Sequence, residues 1–473
     1  MQRVEIHQNR EVDIPMDLRK NNFFTKDKAF YRTLFPMLIT VALQNLIAYS
    51  VNMADNVMLG SYSQEALSGA ATVNQIFFMV QQFAISVGNA LVALASQYWG
   101  QKRIDPIRTL TGIALKLGVA VSVVLIVLCE LIPEPILRIF TPDAAIIAQG
   151  RSYLMLIAWS FLLFIVTQTL MAALRAVETV RISFYVSVVS LVINVCINYL
   201  LIFGKFGFPE IGVVGAAVGT LIARCVELVI VLVYLAKFDQ KLRLFQKGLF
   251  RRDPVLGKDY RRVYMPIMCA TVLWGVSVPM QTAILGHLSD NAIAANSVAT
   301  TFYQYLKVIV VAMSSTSAVM IGTAIGRGDM DRIKSDARTL ACIDVVIGLI
   351  LGVALVVLRG PLLSLYDLND DAIRMASNLI AIMGVIMVGM SYQMPVSFGI
   401  FQGGGDGTFT MKMNLISTWC IVMPLSFMAA FWWKLPVEWV VVVIQSDQIF
   451  KCLPTFLHFR KYGWMKKLTR AEV

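Results

Sequence analysis

The chain has 473 residues, of which 58% are hydrophobic and only 15% are charged. A soluble domain is nearer half apolar and a quarter charged, so this composition excludes a soluble enzyme, a disordered chain and a coiled coil, and it calls for a bilayer. The 41 Lys and Arg against 29 Asp and Glu leave a net charge of +12, which suggests nucleic acid in a soluble protein but reports topology in a membrane protein.

Residues 1–34 are polar and charged, with no short apolar stretch ending in a small-residue cleavage site. They read as a cytoplasmic N-terminal segment. A bilayer core about 30 Å thick takes roughly 20 apolar residues of helix. Twelve segments are predicted to span it, near 35–60, 68–98, 109–132, 151–174, 182–203, 212–236, 263–287, 293–325, 339–359, 374–401, 411–432 and 437–458. The apolar runs do not alternate with polar residues, which argues against a transmembrane β-barrel. The predicted fold class is therefore an all-α polytopic membrane protein. Residues 35–236 form a first lobe, 237–262 a polar linker with nine basic residues, 263–458 a second lobe and 459–473 a tail.

Twelve spans put both termini on one side. The loops on that side carry 31 Lys and Arg, the opposite loops carry 6, and Lys116, Arg224, Lys307 and Lys451 lie in or at the ends of spans. Basic loops stay in the cytoplasm, so both termini are predicted there, in a plasma or inner membrane. This distribution accounts for the net charge and removes nucleic acid as a partner. The seven cysteines lie in or at the ends of apolar runs, with neither metal-ligand spacing nor a disulfide framework.

The two lobes repeat each other. Residues 60–104 align on 286–330, with Gly60 on Gly286 and Gly100 on Gly326. Leu59-Gly60-Ser61-Tyr62-Ser63-Gln64-Glu65-Ala66-Leu67 then lies over Leu285-Gly286-His287-Leu288-Ser289-Asp290-Asn291-Ala292-Ile293. Pro36 and Pro266 open the first and seventh spans at nearly the same offset. Six spans separate the copies, so the repeats are parallel. Parallel repeats are a transporter architecture, with substrate held at their interface.

Asp55 lies in the first span. A charge at the bilayer centre costs about 2.5–3.5 kcal/mol on insertion scales, so such a residue either faces protein and binds a cation or sits hydrated at the outer interface. Asn194 and Asn198 are four residues apart and share one face of the fifth span. Their amide oxygens suit a hard cation, or they hydrogen-bond between helices. Ala216 and Thr220 repeat that spacing in the sixth span, offering a backbone carbonyl and a hydroxyl. Arg224 and Glu227 are spaced to pair with each other. Lys307, Asp344, Asp447 and Gln445 are further polar groups within spans, and Lys307 and Asp344 face the cavity or each other.

Several strings resemble the multidrug and toxic compound extrusion (MATE) transporters. They are Ala54-Asp55-Asn56-Val57-Met58-Leu59-Gly60, Asn194-Val195-Cys196-Ile197-Asn198, the run Phe203–Thr220, Phe401-Gln402-Gly403-Gly404-Gly405-Asp406 and Tyr462-Gly463-Trp464. The resemblance covers about residues 30–467. It implies a V-shaped pair of lobes around a central cavity. It also implies antiport, in which a drug-like, cationic or amphipathic compound leaves while H⁺ or Na⁺ enters. By resemblance Asp55, Asn194, Asn198 and Thr220 correspond to the family's cation site in the first lobe, so Na⁺ at Asp55, Asn194 and Asn198 is one expectation. Some relatives carry a second acid where this chain has Asn198. Others carry acidic ligands in spans seven and ten, where this chain has the region of Trp274 and no Asp or Glu within 373–401. Coupling is therefore expected to rest on the first lobe.

Met is pliable and aromatic faces attract cations. Gln44, Tyr49, Asn74, Phe77, Phe78 and Gln81 are candidate cavity residues from the first lobe. Met280, Gln281, Tyr303, Tyr305, Lys307, Met313 and Met394 are candidates from the second. A lipid-linked sugar flippase of the wider superfamily is the alternative, but spans one, two, seven and eight offer only Lys307 for a pyrophosphate. An enzyme is disfavoured because the three histidines, His7, His287 and His458, lie in the N-terminal tail and at span ends, and no catalytic or phosphate-binding motif is present. No cofactor is expected beyond the coupling ion. The partners are small-molecule substrates and the bilayer, and the chain is expected to act as a monomer.

Overall fold

The computed structural model describes residues 24–245, 248–286, 290–364 and 370–470. His7 and His287 lie outside these residues, as do Leu288 and Ser289 of the repeat. Among the described residues there is no strand, and twelve helices are long and apolar enough to cross a membrane. In the first half these are α1 (Lys28–Tyr62), α2 (Gln64–Gly100), α3 (Ile104–Leu131), α4 (Ala144–Ala176), α5 (Arg181–Ile202) and α6 (Gly212–Lys237). In the second they are α7 (Pro254–Leu285), α8 (Ala295–Arg327), α9 (Met330–Leu363), α10 (Asp370–Phe401), α11 (Gly407–Trp432) and α12 (Val437–Lys461).

The helices run longer than their apolar segments because polar caps extend them. Asp27 accepts the Ala29 amide at 2.8 Å and starts α1 at Lys28. Ser63 alone separates α1 from α2. Its amide closes α1 on the Leu59 carbonyl at 3.0 Å, and its hydroxyl accepts the Ala66 amide at 3.0 Å to open α2. Asp253 accepts the Val255 and Leu256 amides at 2.9 and 3.0 Å. With Pro254 as the first residue, α7 therefore begins nine residues before the expected 263, and the segment joining the halves shrinks to 238–253. Such capping satisfies amides that have no partner inside the helix.

The apolar core forks. At the end that carries both termini, one core joins the halves, with Leu34, Leu91, Tyr98 and Leu174 beside Tyr260, Ile321, Phe401 and Trp464. Toward the other end it splits. Leu59, Val73, Phe77 and Phe161 pack within the first half, and Ile284, Ala299, Leu379 and Val440 pack within the second.

Helix association in lipid depends on close packing of small residues rather than on the hydrophobic effect, and α2 and α8 meet that way at the terminal face. A Cβ on Gly100 would lie 2.2 Å from the Thr323 carbonyl oxygen and 2.9 Å from Gly326 Cα. One on Gly326 would lie 2.0 Å from the Gln97 carbonyl oxygen, and one on Gly322 1.9 Å from Ser96 Oγ. These contacts join repeat-equivalent positions, so the pseudo-twofold axis passes through this seam.

The chain ends cross over the seam. Thr25 donates its amide to Thr339 Oγ1 at 2.9 Å, and Asp27 pairs with Arg332 at 2.5 Å, so the start of the first half docks on α9. In return the C-terminal tail docks on the first half. Gln97 Nε2 donates to the Lys466 carbonyl at 3.1 Å, and the Leu468 amide donates to Gln97 Oε1 at 2.8 Å.

Candidate functional site

Two polar sites stand out, one within the first half and one between the halves. In the first, α1 brings a buried Asp55 against α5 and α6. Asn198 Nδ2 donates to Asp55 Oδ1 at 2.5 Å. The same Nδ2 approaches Asn194 Oδ1 at 3.4 Å, and Asn194 Nδ2 donates to Thr220 Oγ1 at 3.2 Å. The helical spacing of four therefore delivers Asn194, Asn198 and Thr220 to one carboxylate. Ala216 is fully buried one turn before Thr220. Asn198 Oδ1 is buried without a hydrogen-bond partner among the described residues, and it lies where a Cβ on Gly219 would approach it to 2.0 Å. The glycine makes room for this amide.

Two further residues complete the site. Arg224 lies close enough to act on the Asp55 charge, and so does Tyr153 of α4, which also approaches Thr220. Arg224 pairs with Glu227 at 2.8 Å and rests over the Phe164 ring at 4.9 Å from its centre. Continuing the four-residue step from Ala216 and Thr220 reaches Arg224, so its sequence signal was available. Tyr153 comes from another helix and had none.

The donor set is one carboxylate with amide and hydroxyl oxygens. It fits a proton or a hard monovalent cation. Among the described residues no three His, Cys, Asp or Glu side chains cluster as metal ligands.

The second site is a cavity of about 720 Å³ where the core forks. Gln44, Tyr49, Phe78, Gln81, Gln281, Tyr303, Lys307 and Met394 line it, together with Trp274, Gln445 and Asp447. Asn74, Phe77, Met280, Tyr305 and Met313 do not. Phe77 points into the first half and packs on Phe161 and Phe164, with ring centres 5.9 and 5.3 Å away. Asn74, three residues before Phe77, is half-buried outside the cavity wall. Met280 packs against the core of the second half, and Met313 is buried in the shared core. Tyr305 donates its hydroxyl to Met53 Sδ at 2.8 Å, joining α8 to α1.

Among the described residues four charged side chains line the cavity: Arg175, Lys307, Lys451 and Asp447. Lys307 stands over the Trp274 ring, 4.8 Å from its centre, and close to Asp447. Lys451 Nζ donates to Asp447 Oδ2 at 2.7 Å, Asn414 Oδ1 at 3.0 Å and Thr418 Oγ1 at 3.3 Å. Arg175 donates to Ser315 Oγ at 3.2 Å. Sequence reading missed Arg175 and Lys451 as cavity residues: Arg175 sits at the end of α4, where basic residues ordinarily serve topology, and Lys451 reads as lying in or at the end of a span with no partner named. Asp344 faces neither the cavity nor Lys307. It is buried beside Tyr392, and neither of its carboxylate oxygens has a hydrogen-bond partner among the described residues.

Known proteins share this architecture. Among solved structures, a Vibrio cholerae MATE transporter superposes with a TM-score of 0.84 at 17% identity, over 93% of this chain and 98% of its own. A MOP superfamily transporter from Pyrococcus furiosus, whose binding pocket is described as having reverse polarity that suggests a different function, gives 0.83 at 16%, over 94% and 100%. At these identities the likeness is one of fold. Among curated relatives, the probable multidrug resistance protein NorM of Halalkalibacterium halodurans is 26% identical over 409 residues, covering 86% of this chain and 88% of its own. The protein of the same name from Thermotoga maritima is 24% identical over 457 residues, covering 96% and 98%. The MatE family model matches residues 40–200 and 266–428, one stretch in each half. With most of its length matched and its twelve helices in place, the chain belongs to the MatE family, a family of multi-pass membrane transporters and not of enzymes.

Proposed function

We propose that the protein is a secondary active antiporter that exports amphipathic organic compounds in exchange for H⁺ or Na⁺. The observation that carries this reading is a carboxylate buried within a membrane span, touching an amide whose own oxygen has no partner. In the ion-free state Asp55 is charged and accepts from Asn198 Nδ2. When a proton or Na⁺ neutralises it, the Asn198 amide turns and presents Oδ1, either to the Asp55 hydroxyl or to the ion. For Na⁺, Asn194 Oδ1 and the Thr220 hydroxyl are the neighbouring oxygens, and the Ala216 carbonyl is the further donor of this proposal. The turn changes how α1, α5 and α6 pack, and that change favours release of cargo from the neighbouring cavity. Residues 35–236 and 263–458 act as two lobes that rock about their interface, as parallel repeats do.

The named relatives support a drug-like cargo, and the bias of basic residues supports cytoplasmic termini in an inner membrane. The chain works as a monomer, since both lobes are present in it. Three of the four charged cavity side chains among the described residues are basic, which favours amphipathic cargo over cationic cargo.

The test is efflux from vesicles holding the purified protein, under a proton or a Na⁺ gradient imposed separately. Ethidium and carboxyfluorescein serve as cationic and anionic cargo. Efflux of either dye under one gradient, abolished in Asp55→Asn, names the ion. Normal gradient-driven efflux in Asp55→Asn would sink the mechanism.

A second reading is a flippase for lipid-linked sugars. Spans one, two, seven and eight alone offered too little positive charge for it. The cavity adds Arg175 from α4, a guanidinium with only a neutral partner in Ser315, which favours a phosphate-bearing cargo. Lipid-linked sugar is the next cargo to try if neither dye moves.

A further inference from the structure

The charges on the cavity wall are unequal in availability as well as in number. Among the described lining residues Asp447 is the single acidic side chain, and it is engaged on both oxygens. Oδ2 holds Lys451 at 2.7 Å and accepts from Thr418 at 3.5 Å, while Oδ1 accepts from Gln448 Nε2 at 2.8 Å. Gln448 is held in turn by Gln393 at 2.6 Å. A cationic ligand would therefore have to break this network to reach a carboxylate.

The basic residues differ. Lys451 is buried and spent on Asp447, Asn414 and Thr418. Lys307 is only partly buried, stands over the Trp274 ring and lies within range of the Asp447 charge without an ion pair to it. Two ammonium groups and one carboxylate, itself bound to Lys451, leave a net positive charge at that wall. Arg175 has a neutral partner in Ser315. Ser315 lies two helical turns, roughly 12 Å, from Lys307 along α8, so the second positive charge stands deeper toward the terminal face. A cleft of one sign with low-dielectric walls concentrates ions of the other sign. Phe78 and Trp274, with ring centres 6.1 Å apart, give an apolar wall beside Lys307.

We propose that the cavity binds an organic anion, an aromatic or alkyl group bearing a carboxylate, sulfonate or phosphate, with Lys307 holding the acidic group and Trp274 and Phe78 flanking the apolar part. The proposal rests on the reading of this cavity as the cargo site and names the class of cargo. It does not depend on which ion drives transport.

The experiment is equilibrium binding to the purified full chain in neutral maltoside micelles, read by fluorescence anisotropy with no gradient present. Fluorescein and rhodamine 123 share a ring system and differ in charge. Fluorescein is expected to bind at least about tenfold more tightly, and its binding is expected to weaken as NaCl rises. Lys307→Gln is expected to remove the preference, and Asp447→Asn to strengthen fluorescein binding. The opposite signs of the two variants separate charge from damage to the fold, and the salt series needs no variant. Naphthalene sulfonate displaces fluorescein if the anion arrives from water, and geranyl phosphate does so if it arrives from the bilayer. Rhodamine 123 binding as tightly as fluorescein, absence of fluorescein binding, or an unchanged ratio in Lys307→Gln overturns the proposal. Because binding needs no gradient, a failure of antiport in vesicles leaves this result standing, and the reverse also holds.

Discussion

Asn198 turns its nitrogen to Asp55 and its oxygen toward Gly219, where a Cβ would come within 2.0 Å of Oδ1. Gly219→Ala therefore has to displace the Asn198 amide that donates to Asp55. Misplacing a catalytic or coupling group by an ångström costs up to about a hundredfold in rate. Gradient-driven efflux by Gly219→Ala should drop at least tenfold while the protein still elutes as a folded species, and an unchanged initial rate would count against the coupling role of Asn198. Two other buried carboxylates should respond in opposite ways. Glu227 is paired with Arg224, so Glu227→Gln strands a largely buried guanidinium, a loss of about 3–5 kcal/mol. Asp344 has no hydrogen-bond partner among the described residues, and an isolated buried charge is unfavourable. Melting curves in detergent should show Glu227→Gln well below wild type and Asp344→Asn at or above it.

At the scale of the helix, the caps decide where spans begin. Asp253→Ala removes the acceptor for two amides at the start of α7 and should cost about 1 kcal/mol, seen as lower amide protection at Val255 and Leu256. The Ala29 amide, and then Arg332, hold the Asp27 carboxyl below the usual carboxylate range. A depressed folded value means that this cap stabilises the protein above the unfolded value near 3.9 and is lost as pH falls through the folded value. Protection factors in the first turn of α1 should therefore collapse below about pH 4 and stay constant between pH 5 and 7. The twelve spans were legible in the sequence because an unbroken run of about 20 apolar residues is at home in a bilayer and in few other surroundings. Their ends were less so. Ser63 and Asp253 looked like loop, yet each starts a helix. The Asp55 site was half legible. The spacing of Asn194, Asn198 and Thr220 survives in a single helix pair, whereas Tyr153 arrives by tertiary packing. Phe77 and Met280 could not be oriented from sequence. In a membrane bundle both the lipid face and the core face are apolar, so hydrophobic periodicity loses its power to tell them apart.

At the scale of the molecule, the shared core and the glycine seam hold the terminal face shut, and each half is tied down by the other's chain end. A side chain at the seam should pry it open. In Gly326→Val the new Cβ would meet the Gln97 carbonyl oxygen at 2.0 Å. A cysteine introduced by Ser96→Cys, buried in the parent, should then react several-fold faster with a water-soluble maleimide. Equal rates in the two backgrounds would mean that the seam is not the gate. The same seam also has a historical consequence. Ser96 touches Gly322, and Gly100 touches Gly326, each residue meeting its own counterpart in the other half. A surface that complements itself is what a twofold dimer requires. An ancestral polypeptide of half this length would thus have found a second copy of itself already shaped to receive it. Joining the two genes afterwards freed the copies to diverge, one keeping a buried acid at Asp55 and the other placing Lys307 and Lys451 on the cavity wall.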